Sequence, residues 1–217
     1  MNFLMHLFLA EDNDDSRIGN YLGDFVKGNE AGINELYPGK IAEGIINHRR
    51  LDRFTDAHLA VINSIALMKP FSGKFAPIVI DILMDYYQIK HWQKFTAEDF
   101  QDFVNKCYAS LQKIVEGEQY PELCRHFTAR LIERDAFNVY STIEGIHEVL
   151  CGMNRHLKRP SPLPDAKPHI IANYAALEHN FQLFMPDVMT GFKPATRNNI
   201  DKNVTKYMSF TLRKYQS

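Results

Sequence analysis

Apolar residues recur along the chain at three- and four-residue spacing, with polar residues between them. That is the pattern of helices laid against a core. The stretch SRIGNYLGDFVKG, residues 16–28, predicts a helix capped by Ser16 and stopped by Gly28. Pro38 is placed to open a helix that runs through NHRRLDRFTDAH, residues 47–58. Thr55 is the expected cap of the next helix, which should end before Pro70. The stretch KFAPIVIDILMDYYQIKHW is apolar almost all round and predicts a buried helix. In TAEDFQDFVNKCYASLQKIVEG, Thr96 reads as the cap, Asp99 lies near the capping-box position and Gly117 is the stop. Residues 121–135 and 139–157 are amphipathic. KRPSPLPDAKP then breaks the pattern with four prolines. A last helix is expected over about 169–190, with Tyr174, Leu177, Phe181 and Phe184 on one face. No stretch alternates with period two, and the run APIVI continues into helix-length periodicity. The expectation is an all-α fold, a single-domain bundle of about seven to nine helices over residues 1–191, with a tail over 192–217.

Composition narrows the possibilities. The chain has 217 residues, 45% hydrophobic and 12% aromatic, enough to build a core. A net charge of −1 gives no global electrostatic case for binding nucleic acid or a membrane. Cys107, Cys124 and Cys151 are odd in number and lack C-x-x-C spacing, which disfavours a disulfide framework or a thiolate zinc site and suits a reducing compartment. The start MNFLMHLFLA lacks a basic region, carries His6 and runs into EDNDDS, so it reads as structure and not as a signal peptide. No apolar run reaches the roughly 18–20 residues of a membrane helix. A cytoplasmic protein is expected. From Phe192 the tail carries six Lys or Arg against Asp201 and reads as a solvated or loosely packed terminus.

Candidate chemistry lies where polar residues interrupt apolar stripes. On a helix, Ile41 and Ile45 begin a stripe that continues through His48, Asp52 and Asp56, with Arg49 and Arg53 in the adjacent row. A buried carboxylate needs a cation, several hydrogen bonds or a metal. A helix turning this face to water, with surface pairs among the same residues, fits the segment equally well. In PIVIDILMDYY, Asp81 and Asp85 share the stripe of Ile78, Ile82 and Ile89. Like charges four apart repel, and a divalent cation would relieve both repulsion and burial. Mg²⁺ and Mn²⁺ favour such oxygen-rich sites, and Mn²⁺ also accepts imidazole. Pairing of both aspartates with Arg49, Arg50 or Arg53 is the competing reading. His6 is the only ionisable group in FLMHLFLA, and Asp24 lies one turn after Asn20. His91 beside Trp92 suits a helix C-terminus. His126, His147, His156, His169 and His179 read as structural or surface residues. No P-loop, G-x-G-x-x-G, G-x-S-x-G or H-E-x-x-H occurs.

MNFLMHLFLA, GNYLGDFVKG, GIINHRRLDRFTDAH and FAPIVIDILMDYY fall in the order found in the acyl carrier protein phosphodiesterase family, which the chain resembles over most of residues 1–190. The resemblance implies an all-helical enzyme distantly akin to HD-type metal-dependent phosphohydrolases, with a Mn²⁺ or Mg²⁺ requirement. It also implies hydrolysis of the phosphodiester between 4′-phosphopantetheine and a serine of holo acyl carrier protein. Phe8 and Tyr86 stand where the family pattern carries histidine, and no adjacent His-Asp pair occurs, so weight falls on His6, Asp24, His48, Asp81 and Asp85.

The expected roles follow. Asp24, His48, Asp81 and Asp85 surround the metal, and His6 is a further ligand or base. Asp52 orients His48 or binds metal through water. Arg49 clamps the phosphate with its planar fork, with Arg50 as the alternative. Acyl carrier proteins are acidic, so Arg49, Arg50, Arg53 and the tail's Lys193, Arg197, Lys202 and Lys206 are candidates for a local basic patch. Two other readings stay open: a phosphohydrolase of nucleotides or other small phosphoesters, and a non-catalytic helical module that binds carrier proteins.

Overall fold

The computed structural model describes residues 3–191, and the basic tail expected from residue 192, with Lys193, Arg197, Lys202 and Lys206, lies outside the described residues. The all-α expectation holds, since no strand forms among the described residues. The helices are α1 Phe3–Phe8, α2 Asp14–Leu22, α3 Glu30–Leu36, α4 Gly39–Ala57, α5 Leu59–Ser72 and α6 Ala76–Lys90. They continue as α7 Phe100–Glu116, α8 Glu122–Glu133, α9 Ala136–Val139, α10 Ile143–Arg155, α11 Ala166–Ala172 and α12 Tyr174–Gly191. The twelve helices among the described residues exceed the seven to nine expected because α1, α3, α9 and α11, of four to seven residues each, are too short to show a periodic stripe. No helix among the described residues is long and apolar enough to cross a membrane.

Several caps differ from those predicted. Asn13, not Ser16, caps α2: its side chain accepts the Ser16 backbone N–H, while the Ser16 hydroxyl accepts from Glu11. That helix ends at Leu22, and Gly28 instead turns the following loop at φ 116°. α4 runs through Thr55 to Ala57, and His58 caps α5 by accepting the Ala60 N–H at Nδ1. α5 carries Pro70 in its last turn and stops at Ser72, before Gly73 at φ 53°. Asp99, not Thr96, caps α7, accepting from Gln101 and Asp102 N–H groups at 2.8 and 3.2 Å. The last expected helix divides at Asn173 into α11 and α12.

The chain separates into two compact units. One holds Asp52–Tyr87 and the residues from Tyr140 to 191, with α5, α11 and α12 packed together. Phe181, Phe184, Met185 and Val188 of α12 are buried there, and the Tyr86 and Tyr174 hydroxyls meet at 2.8 Å.

The other unit holds Phe3–Leu51 and Gln88–Val139. α2 packs on α1 and α7, and α7 packs on α8. Leu4, Met5, Ile18, Tyr21, Leu22, Ile45, Val104, Leu111 and Ile114 are buried in its core. Within this unit α2 and α4 approach backbone to backbone. A Cβ on Gly19 would sit 2.2 Å from the Ile41 carbonyl oxygen, and one on Gly44 would sit 2.7 Å from the Asn20 nitrogen. Neither position has a flexible neighbour that could yield. Gly44→Ala should therefore cost about 3 kcal/mol, the upper range for overpacking, although alanine favours a helix more than glycine does. Urea unfolding checks this, and a variant as stable as the parent would show that the helices part without cost.

Candidate metal centre

Four residues beyond Gly19 on α2, and four beyond Gly44 on α4, the same close approach brings Gly23 against His48. A Cβ on Gly23 would lie 2.1 Å from His48 Cγ, so the ring occupies the space a side chain would fill. His48 is 1% exposed. Its Nδ1 lies 2.7 Å from the Asn20 backbone oxygen. α2 ends at Leu22, which makes that oxygen one of the terminal carbonyls that helices leave without an internal partner. A carbonyl can only accept, so Nδ1 carries the proton and donates. The Nε2 lone pair is left to face Asp24, whose Oδ1 is 3.5 Å away. Asp24 is 28% exposed, and solvent reaches the cluster on its side.

His6 completes the group from α1. It is fully buried, and its ring stacks on His48 with centroids 3.6 Å apart and planes 12° from parallel. Two imidazolium charges stacked this closely would repel, so the pair suits neutral rings, the form that ligates metal. Imidazole nitrogens of His6 and His48 lie within 4.8 Å of each other. α4 continues unbroken through Asp52, and one turn of helix brings its carboxylate within the same distance of His48. Donors on one small cation, each at about 2.1 Å, lie within about 4 Å of one another. The His48–Asp24 separation meets that limit. The donor set of two imidazoles and carboxylates fits a divalent cation such as Mn²⁺.

No cysteine belongs to the cluster of His6 and His48 among the described residues. Burial pushes the Cys124 thiol up to about 12, and the charge of Asp24 adds to the shift against a hydrogen bond from Thr128.

The other expected site residues fall as follows. Asp81 and Asp85 lie one turn apart on α6, Asp81 half-buried and Asp85 wholly buried. Arg49 donates from Nη1 to the Gly28 oxygen at 2.6 Å and from Nη2 to the Val26 oxygen at 2.8 Å. Its fork thus holds the loop that follows Asp24. Arg50 beside it is half-buried. Of the two positions that depart from the family pattern, Phe8 packs edge-on against Trp92, and Tyr86 bonds to Tyr174. Sequence reasoning missed the supporting pair, the Asn20 carbonyl and Gly23. The spacing of Gly19 and Gly23, four residues apart, was the available signal.

A family model described as acyl carrier protein phosphodiesterase matches residues 1–188. An acyl carrier protein phosphodiesterase of Enterobacter sp. (strain 638) is 32% identical over 197 residues, covering 89% of this chain and 98% of the relative. One from Salmonella newport (strain SL254) is 33% identical over 190 residues, covering 87% and 96%. No solved structure gives a significant match.

The fit of Gly23 to His48 is testable without any ligand. Gly23→Ala should destabilise by about 2 kcal/mol, and in a His48→Gly background, which also removes the His48 Cβ 2.5 Å from the new methyl, the same change should cost close to nothing. Equal costs in both backgrounds, measured by chemical denaturation, would place the strain elsewhere.

Proposed function

The chain belongs to the acyl carrier protein phosphodiesterase family, and from that premise we propose that it hydrolyses the phosphodiester of holo acyl carrier protein. The products are 4′-phosphopantetheine and the apo carrier with a free serine. The observation that carries this reading is the buried, stacked pair of His6 and His48 with half-buried Asp24 3.5 Å from His48, the His48 tautomer being set by Asn20.

A divalent cation, Mn²⁺ or Mg²⁺, would be held by His6, His48 and Asp24, with Asp52 one turn on from His48. Bound there, it would supply Lewis acidity toward water and phosphate. The protein's own residues supply the rest. Asn20 keeps the Nε2 of His48 unprotonated and aimed at Asp24. Asp52 orients His48 or acts through water. Arg49 steadies the loop after Asp24 through two carbonyls and remains the expected phosphate clamp, since its fork matches phosphate oxygens, with Arg50 as the alternative. Asp81 and Asp85 keep the ligand roles that their spacing on α6 suggests. The three cysteines are free, which supports a reducing, cytoplasmic setting.

The experiment is mass spectrometry of holo acyl carrier protein incubated with the enzyme and Mn²⁺, against an EDTA control. The expected result is metal-dependent loss of one phosphopantetheine. Asp24→Ala and Asp85→Ala should each lower kcat/KM by about a thousandfold or more with helical content unchanged. An untouched carrier alongside turnover of nucleotides would replace this substrate with a small phosphoester. Carrier binding without turnover of either would leave a binding module.

Charge matching gives a second check. Raising salt should raise KM for the acidic carrier more than it lowers kcat, because Arg50 and Arg53 meet it through screened interactions. A KM indifferent to salt would remove the basic patch from the account.

A further inference from the structure

The polar residues of α6 are few, and three of them share one narrow strip. Asp81, Asp85 and Gln88 stand at positions i, i+4 and i+7, within an arc of about 60° around the helix axis. Asp85 and Gln88 are fully buried. Neither Oε1 nor Nε2 of Gln88 has a hydrogen-bond partner among the described residues, although both atoms are shut off from solvent. Other polar groups of the same stretch are provided for. Tyr87 donates its hydroxyl to the Tyr174 oxygen at 3.0 Å, and Trp92 donates from Nε1 to the Glu98 oxygen at 2.7 Å.

A buried carboxamide without a partner is destabilising, and a leucine of similar volume would fill the space without that loss. Groups of this kind are retained where they serve a ligand or an internal water. Asp85 lies one turn back along α6. Side chains three residues apart on a helix have Cβ atoms roughly 5–6 Å apart, a gap that one water spans with a hydrogen bond at each end. Four residues on from Gln88, Trp92 packs edge-on at 5.1 Å against Phe8 of α1, the helix that carries His6.

A carboxylate that ligates a cation offers the metal one oxygen and needs the rest of the group held, so that its lone pair stays aimed. A carboxamide suits that part. Its Nε2 donates to the water oxygen, and the water donates on to the carboxylate. It carries no charge, so it directs the carboxylate without competing with a cation as lysine or arginine would.

We infer that Gln88 is a positioning residue of the metal centre, tied to Asp85 through one bound water and fixing the lone pair that Asp85 offers a divalent cation. The inference rests on the phosphodiesterase reading above, in which Asp85 is a ligand. It adds a residue outside the ligand set.

The test is titration calorimetry of Mn²⁺ into the full chain, with thermal melting of the metal-free protein and holo carrier cleavage in parallel. Gln88→Leu keeps the volume and removes the amide. Gln88→Met does the same with an unbranched chain, should leucine pack badly. The metal-free variants should melt no lower than the parent, because the amide holds no part of the fold. Their Mn²⁺ affinity should fall about 10- to 100-fold, the usual loss when the support of a ligand is removed. The Mn²⁺ concentration that gives half-maximal cleavage should rise by the same factor. In an Asp85→Asn background, Gln88→Leu should change Mn²⁺ affinity little, because the oxygen it directs has gone. Lower melting with unchanged Mn²⁺ affinity would make Gln88 a packing residue and overturn the inference, and carrier cleavage by the parent would leave the phosphodiesterase reading intact. An equal loss of affinity in the Asp85→Asn background would also overturn it, since Gln88 would not act through Asp85. Mn²⁺ binding that depends on Gln88 and Asp85 together, with no cleavage of any carrier, would support the positioning role and overturn the reaction. A parent that binds neither Mn²⁺ nor Mg²⁺ would overturn both.

Discussion

The separation of α2 and α4 is the constraint on which the site depends. Gly19 and Gly44 let the two backbones meet, and the approach persists for another turn, where Gly23 takes the face of the His48 ring. Each glycine inside a helix costs up to about 1 kcal/mol against alanine. The loss is offset by close main-chain packing, of the kind that small residues four apart permit between helices. Widening the gap by the width of a methyl group would move the His48 ring away from the Asn20 carbonyl and from Asp24 together. The geometry is therefore nearly all-or-none, because backbone on backbone has no soft member to absorb an error.

Around that contact, neighbouring residues of similar type take different parts. His6 and His48 stack face to face in the interior, whereas His58 caps α5 and reaches Asp187. Arg49 donates to two main-chain oxygens, and Arg50 beside it is half-buried. Cys124 stays a neutral thiol beside Asp24 and behaves as a small apolar residue. Environment decides these roles more than residue type does. Phe8 and Tyr86 show it most clearly, since both are absorbed into aromatic clusters.

How much of this could be read from the sequence follows from which groups leave a trace there. The long helices were legible because their burial repeats every three or four residues, as on α7 with Phe103, Val104, Cys107, Leu111 and Ile114. Caps were not, because Asn13 and Ser16, or Asp99 and Thr96, offer the same chemistry within a turn of each other, and only local backbone angles choose between them. His48 stood out as an imidazole on an apolar stripe. The Asn20 carbonyl could not stand out, since every residue has one and only the end of α2 makes this one available. The hold of Arg49 on Val26 and Gly28 could not stand out either, because both partners bond through main-chain atoms that their names do not reveal.

The bond from His48 to Asn20 joins the site to the last turn of α2. Terminal turns are the part of a helix that opens most readily, at a free energy well below that of global unfolding. When the last turn of α2 opens, the acceptor for Nδ1 and the segment bearing Asp24 leave together. The imidazole then loses its fixed tautomer at the moment it loses its carboxylate neighbour. Whatever occupies this site acts as a staple on that turn.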